Sequence, residues 1–109
     1  MLGRFAPSPT GVLHLGNLRT AVAAYASVQG SKGAFLIRFE DLDMHNANMA
    51  NAQQQLDDLV SIGVIADETP MVQSERFELY HDAIQLLTDQ GLTYECFCSR
   101  REILEAAQA

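Results

Sequence analysis

The 109-residue sequence has no tryptophan, and its only cysteines are Cys96 and Cys98. Residues two apart make a poor disulfide, so a disulfide framework cannot be the source of stability. Such sparing use of thiols is the pattern of a reducing, cytoplasmic compartment. No apolar run approaches the roughly 20 residues that a membrane helix needs. The opening "MLGRFAPSPTG" has neither the apolar stretch nor the small-residue cleavage site of a secretory signal. Basic residues are scarce: 7 Lys and Arg stand against 14 Asp and Glu, for a net charge of -7. That balance repels phosphate backbones at long range. Any contact with nucleic acid must use a local basic site, or bases outside these residues.

What is present suits a packed core. Hydrophobic residues make up 48% of the chain but aromatics only 7%, so Leu, Ile, Val and Ala must supply most of the core. The length fits one small domain or a piece of a larger one. "GRFA", Gly3 to Ala6, reads as a short strand. Leu18, Ala21, Val22, Tyr25 and Val28 then recur at helical spacing from Asn17, with Gly30 placed as a C-terminal cap. "AFLIRF", Ala34 to Phe39, is an apolar run broken by one Arg, as in a strand covered on both faces. Met49, Ala52, Leu56, Leu59 and Val60 give a second helical stripe, ended by Gly63. "VIADETPMVQ" is a loop with room for a short strand. Ser74 caps a third helix bearing Phe77, Tyr80, Ile84 and Leu87 on one face, with Gly91 behind it. "LTYECF" alternates like a strand, and "SRRE", Ser99 to Glu102, has the form of a capping box opening a fourth helix.

This order predicts an α/β fold with parallel strands and crossover helices. There is no internal repeat, low-complexity tract or linker. The chain stops soon after a helix has begun, which leads to the expectation of a fragment. Half a parallel sheet would leave an open edge and an uncovered apolar face, so self-association is expected.

The stretch "RFAPSPTGVLHLGN", Arg4 to Asn17, is the densest signal. In open α/β sheets, ligands bind beyond the carboxyl ends of strands, where loops lead to helix N-termini. Those N-termini offer unpaired N–H groups and partial positive charge, which suits phosphate. Pro7 and Pro9 stiffen the loop. Gly11 and Gly16 permit unusual φ and close approach to the backbone. His14 stands at the helix start, able to donate to a phosphate oxygen. Neither G-x-G-x-x-G nor G-x-x-x-x-G-K-[ST] is present. His-x-Gly-Asn alone would be no more than a strand-to-helix connection.

"RFAPSPTGVLHLGNLRTA" resembles the first signature of class I aminoacyl-tRNA synthetases, in the form used by the glutamyl branch. "FLIRFEDLD", "QSERFELY" and "LTYECFCSRREI" are similar to the blocks that follow in that branch, in the same order and over nearly the whole chain. "EDLD" and "CFCSRREI" are closer to the glutamyl-Q tRNA(Asp) synthetase family than to ordinary glutamyl-tRNA synthetases. The resemblance implies the first half of a Rossmann-like catalytic domain, spanning 1–109. It implies ATP with Mg2+ and L-glutamate as substrates, and tRNA as the acceptor: the queuosine base of tRNA(Asp), with tRNA(Glu) the alternative. A non-catalytic α/β module is the reading from another class.

By the same resemblance, Arg4, Phe5, Ala6, Pro7 and Ser8 line the glutamate site, with the Arg4 fork on the side-chain carboxylate. Glu40 takes the α-ammonium. Thr10, His14, Gly16 and Asn17 meet ATP, and His14, Gly16 and Asn17 form the catalytic signature. Arg19 and Arg38 are auxiliaries, although Arg38 is more simply a partner for Asp41 or Asp43. His45 stands where the family usually carries an Arg, so that Arg's contact is in doubt. His45, His81, Asp57, Asp58, Glu75 and Glu78 read as solvated. Cys96 and Cys98 would supply half of a four-ligand zinc site, the rest lying beyond Ala109; two small buried side chains would explain them nearly as well. The second ATP signature, a Lys-Met-Ser-Lys-like loop, is absent, so these residues alone are expected to have little or no activity.

Overall fold

The computed structural model describes residues 1–107. The chain divides into two compact units, one covering Met1–Phe77 and a second beginning at Glu78. In the first unit, β1 (Leu2–Phe5), α1 (Leu15–Gln29), β2 (Ala34–Phe39), α2 (Met49–Ser61) and β3 (Met71–Val72) follow in order. The strands form one parallel sheet in the order β1-β2-β3. Phe5 lies opposite Ile37, and Arg38 opposite Met71.

Both crossovers step the same way along the sheet. Right-handed connections then put both helices on one face. The core agrees: Phe5, Phe35, Ile37 and Phe39 from the strands meet Ala21 and Val28 of α1 and Ala52 and Leu59 of α2, with Val64. Tyr25 of α1 sets its ring edge-on to Phe35, with centroids 5.2 Å apart. This corrects the expectation that "AFLIRF" is covered on both faces. Phe35, Ile37 and Phe39 are buried, while Ala34, Leu36 and Arg38 on the opposite face are only half-buried.

Helix ends follow local chemistry. His14 in extended backbone caps α1, which starts at Leu15, two residues before Asn17. Gly30 ends it, but in right-handed backbone; the left-handed residue of that turn is Lys32, at φ 52°. Gly33 comes so close to Met1 that a side chain there would strike the Met1 carbonyl. Asn48 caps α2 by accepting from the Asn51 amide at 2.8 Å. Gly63, at φ 82°, closes the other end in the left-handed region that favours glycine. The α2 stripe is shifted from its expected face: Ala52, Gln55 and Leu59 are buried, while Met49 and Val60 are exposed.

Ser74 does not cap α3 (Phe77–Asp89). It lies in a 3-10 turn over Gln73–Arg76, and its hydroxyl and amide both donate to Asp41, at 2.5 and 2.9 Å. On α3, Tyr80 is half-buried, and Phe77, Ile84 and Leu87 are exposed. Gly91 follows at φ 69°. "LTYECF" forms no strand, and the second unit has none for it to pair with among the described residues; Tyr94 and Phe97 stand exposed. The capping box does form before α4 (Arg100–Ala107): the Ser99 amide donates to Glu102 at 2.6 Å, and the Glu102 amide donates back to Ser99 at 3.3 Å.

Candidate active site

The loop from Ala6 to His14 leaves the carboxyl end of β1 and turns into α1. Its carbonyls are tied to the protein behind it. Pro7 accepts from the Glu40 amide at 2.9 Å, and Pro9 accepts from the Asn48 amide at 3.0 Å and from Asn51 Nδ2 at 3.3 Å. Ser8 and Gly11 both accept from Gln55 Nε2. The end of β2 and the first turns of α2 thus hold the loop by its acceptors. The Thr10, Gly11 and Val12 amides have no protein acceptor among the described residues. Pro7 and Pro9 are buried and Ser8 and Thr10 exposed, so the stiff positions anchor the loop and the polar ones face outward.

A cleft of about 450 Å³ opens along this loop. Phe5, Ala6, Pro7, Ser8, Thr10, His14 and Asn17 line it, and so does Gln55. Gly16, Arg4 and Glu40 are not among its lining residues. A side chain at position 16 would displace the His14 ring: an added Cβ would sit 2.9 Å from His14 Cε1. Gly11 faces open space, where a ligand can reach the backbone. Neither glycine has positive φ, so the expected unusual backbone is not the reason for either; close approach, to the His14 ring, is seen only at Gly16.

The cap of α1 sets the electrostatics of the cleft. His14 Nδ1 accepts from the Gly16 amide at 3.1 Å. With that nitrogen acting as acceptor, the neutral ring carries its proton on Nε2. Asn17 Oδ1 accepts from the His14 amide at 3.1 Å, which leaves its Nδ2 hydrogens free. Both side chains therefore spend their acceptors on the helix terminus and keep donors to offer. No acidic residue lies in the first turn of α1. Donors at a helix N-terminus without a competing carboxylate are what a phosphate oxygen needs.

Of the residues expected at the glutamate site, Phe5, Ala6, Pro7 and Ser8 line the cleft, whereas Arg4 and Glu40 stand outside its lining. Arg4 is exposed on β1, on the same sheet face as Arg38 of β2, since Arg4 is in register with Leu36. Arg38 pairs with Glu40, not with Asp41 or Asp43. A side chain two residues along an extended strand returns to the same face, which brings these two together. Both Arg38 contacts fall on Glu40 Oε1, leaving Oε2 as the unshared oxygen. Asp41 instead receives Ser74. Burial pulls its carboxyl up, but the Ser74 hydroxyl and amide outweigh that and hold it below the ordinary carboxylate value.

Arg19, His45 and His81 are exposed. So are Asp57, Glu75 and Glu78, while Asp58 is half-buried. Cys96 and Cys98 are free thiols and also exposed, which removes the alternative of two small buried side chains. No group of three or more His, Cys, Asp or Glu could hold a metal among the described residues. Two thiols are half of a structural zinc set, so these residues do not by themselves build one. Gln55 escaped the sequence reading because it is one of three consecutive glutamines, and only its helical phase, three residues after Ala52, marks it as inward.

The profile of a family described as "tRNA synthetases class I (E and Q), catalytic domain" matches residues 1–109. A glutamyl-Q tRNA(Asp) synthetase of Nocardia farcinica is 50% identical over 98% of this chain and 34% of its own length. A glutamate–tRNA ligase of Chromobacterium violaceum is 42% identical over 97% of this chain and 23% of its own length. The crystal structure of glutamate-tRNA synthetase from Elizabethkingia anophelis superposes with a TM-score of 0.80 at 31% identity, covering 97% of this chain and 23% of that one. The chain therefore spans about a third or less of these relatives. With the first-signature loop, the helix cap and the parallel sheet in the arrangement described, the chain belongs to the catalytic-domain family of the class I glutamyl- and glutaminyl-type tRNA synthetases.

Proposed function

We propose that the protein carrying this chain activates L-glutamate with ATP and Mg2+ as glutamyl-adenylate and passes the glutamyl group to the queuosine base of tRNA(Asp). These residues would form the N-terminal part of its catalytic domain. The observation that carries the reading is the donor-rich, carboxylate-free cradle: Thr10, His14 Nε2–H, Asn17 Nδ2 and the loop amides, on the turn that leads into one helix N-terminus. In the activation step, a glutamate α-carboxylate oxygen attacks the α-phosphorus, an O–P bond forms, and the bond to pyrophosphate breaks. The nucleophile is already ionised, so no general base is required. The cradle's work is to hold the phosphates in line and to stabilise charge that grows on their oxygens. Arg4 would grip the substrate's side-chain carboxylate with its planar fork. Glu40 Oε2 would take the α-ammonium, with Arg38 holding the carboxylate from Oε1.

Glutamate-dependent exchange of pyrophosphate into ATP by the complete gene product tests activation. Transfer to tRNA(Asp) with and without queuosine, beside tRNA(Glu), tests the acceptor. A second reading, an ordinary glutamate–tRNA ligase, is favoured by the Chromobacterium relative and by the Elizabethkingia structure. Charging of tRNA(Glu) with none on tRNA(Asp) would establish it in place of the first.

A further inference from the structure

Gln55 occupies the buried face of α2 between Ala52 and Leu59 and is 2% exposed. An apolar side chain would fit that face better. Instead its Nε2 donates to the Ser8 carbonyl at 3.1 Å and the Gly11 carbonyl at 2.6 Å. These carbonyls flank Pro9 and Thr10, so one amide grips both sides of the loop's tip. Carbonyl oxygens accept only from the NH2 group, which fixes the orientation of the amide. Its Oε1 is thereby left buried with no donor among the described residues. A buried acceptor without a partner is a cost that stability alone would remove. The residue also lines the cleft.

We propose that Gln55 is a positioning residue: it clamps Ser8 and Gly11 from behind and so holds the loop's donors in the shape that receives a nucleotide's phosphates. This rests on the reading of the cleft as the activation site. The clamp acts through the loop. Without it, Ser8 and Gly11 would turn their carbonyls elsewhere, and Thr10 would swing with them. Pro9 would remain tied to Asn48 and Asn51, so the loop would loosen rather than detach.

The test uses the complete gene product with Gln55→Met, Gln55→Glu and, as a solvent-facing control on the same helix, Gln54→Met. Glutamate-dependent exchange activity and amide hydrogen exchange of the ligand-free protein are both read. Gln55→Met should lower kcat/KM for ATP by about tenfold or more, and should speed exchange at the amides that tether the loop, Glu40 to the Pro7 carbonyl and Asn48 to the Pro9 carbonyl, while β2 stays protected. Gln54→Met should change neither. Gln55→Glu should be poor at pH 8 and recover, relative to the native protein, as pH falls to 6, because a protonated carboxyl regains one of the two lost donors. Native kinetics with native loop exchange in Gln55→Met would overturn the proposal, as would loss of protection spread evenly over the whole fold. So would a Gln55→Glu profile parallel to that of the native protein. If the native protein has no exchange activity, the activation reading fails, and loop exchange alone decides the clamp.

Discussion

Gly16→Ala separates stability from function, because its two effects on folding oppose each other. The new Cβ would lie 2.9 Å from Cε1 and 3.1 Å from Nδ1 of His14. The His14 ring is exposed, so it can rotate away, but only by giving up the bond it accepts from the amide of residue 16. Losing such a cap costs about 1 kcal/mol. Replacing a helical glycine with alanine returns roughly 0.5–1 kcal/mol. The net change is close to zero, so the thermal midpoint should stay within about 2 °C of native. Function has no such offset. The rotated ring carries its Nε2–H away from the cradle, and a lost hydrogen bond to a charged oxygen costs about 1.5–3 kcal/mol. That corresponds to a fall of roughly ten- to hundredfold in kcat/KM for ATP. Pyrophosphate exchange and circular-dichroism melting on the same preparations measure both quantities. Native exchange rates would refute the role given to His14. A drop of about 8 °C or more would show that the substitution acts by unfolding the helix start.

Asp41→Asn should abolish part of the acid sensitivity of the fold. The Asp41 carboxyl is held below its ordinary value, so its contribution is full above about pH 4 and is lost as pH falls through the lower folded value. Urea titrations from pH 6 to pH 3 should show a shallower decline in the variant, and parallel curves would count against the Asp41–Ser74 tie. Gly3→Ala should destabilise by about 1–3 kcal/mol, because the added methyl overlaps Val28 Cγ2, and Val28→Ala should relieve much of that cost. Additive single and double variants in chemical denaturation would refute the contact. Cys96 and Cys98 should both react with a thiol reagent at the rate of exposed thiols, without denaturant. Protection of both by stoichiometric zinc would show a metal site that two thiols do not explain. The chain on its own, with Leu15, Val22 and Ile62 exposed, should self-associate, and a monomer across the micromolar range in sedimentation would argue otherwise.

The parts legible in the sequence are those that a few neighbouring residues decide. Pro7, Pro9 and Gly11 fix the turn, His14 and Asn17 fix the helix start, and Ser99 with Glu102 fixes another. At the two helix starts, the groups that bond lie within three residues of one another. The features that escaped join distant segments. Ser74 is a plausible helix cap locally, but Asp41, 33 residues earlier, takes its hydroxyl. Gln55 reaches back 47 residues to Ser8. The alternation in "LTYECF" is real, yet a strand exists only beside another, and alternation cannot report a missing neighbour. Arg38 is the local exception: charge alone matches it to Asp41 or Asp43, whereas strand geometry returns it to Glu40, two residues on.

Charge makes the same point about scale. A chain of net charge -7 is a poor host for anions by its long-range field. Yet beyond roughly 10 Å salt screens that field, and inside it the local donors decide. The residues lining the cleft carry no carboxylate, and the first turn of α1 has none either. A triphosphate therefore meets hydrogen-bond donors at contact and a screened repulsion at a distance. A nucleic-acid backbone is a different ligand, because it extends past the cleft and draws its affinity from many Lys and Arg contacts. With only 7 such residues here, and Arg38 held by Glu40, this stretch is suited to a compact phosphate ligand rather than a nucleic-acid strand.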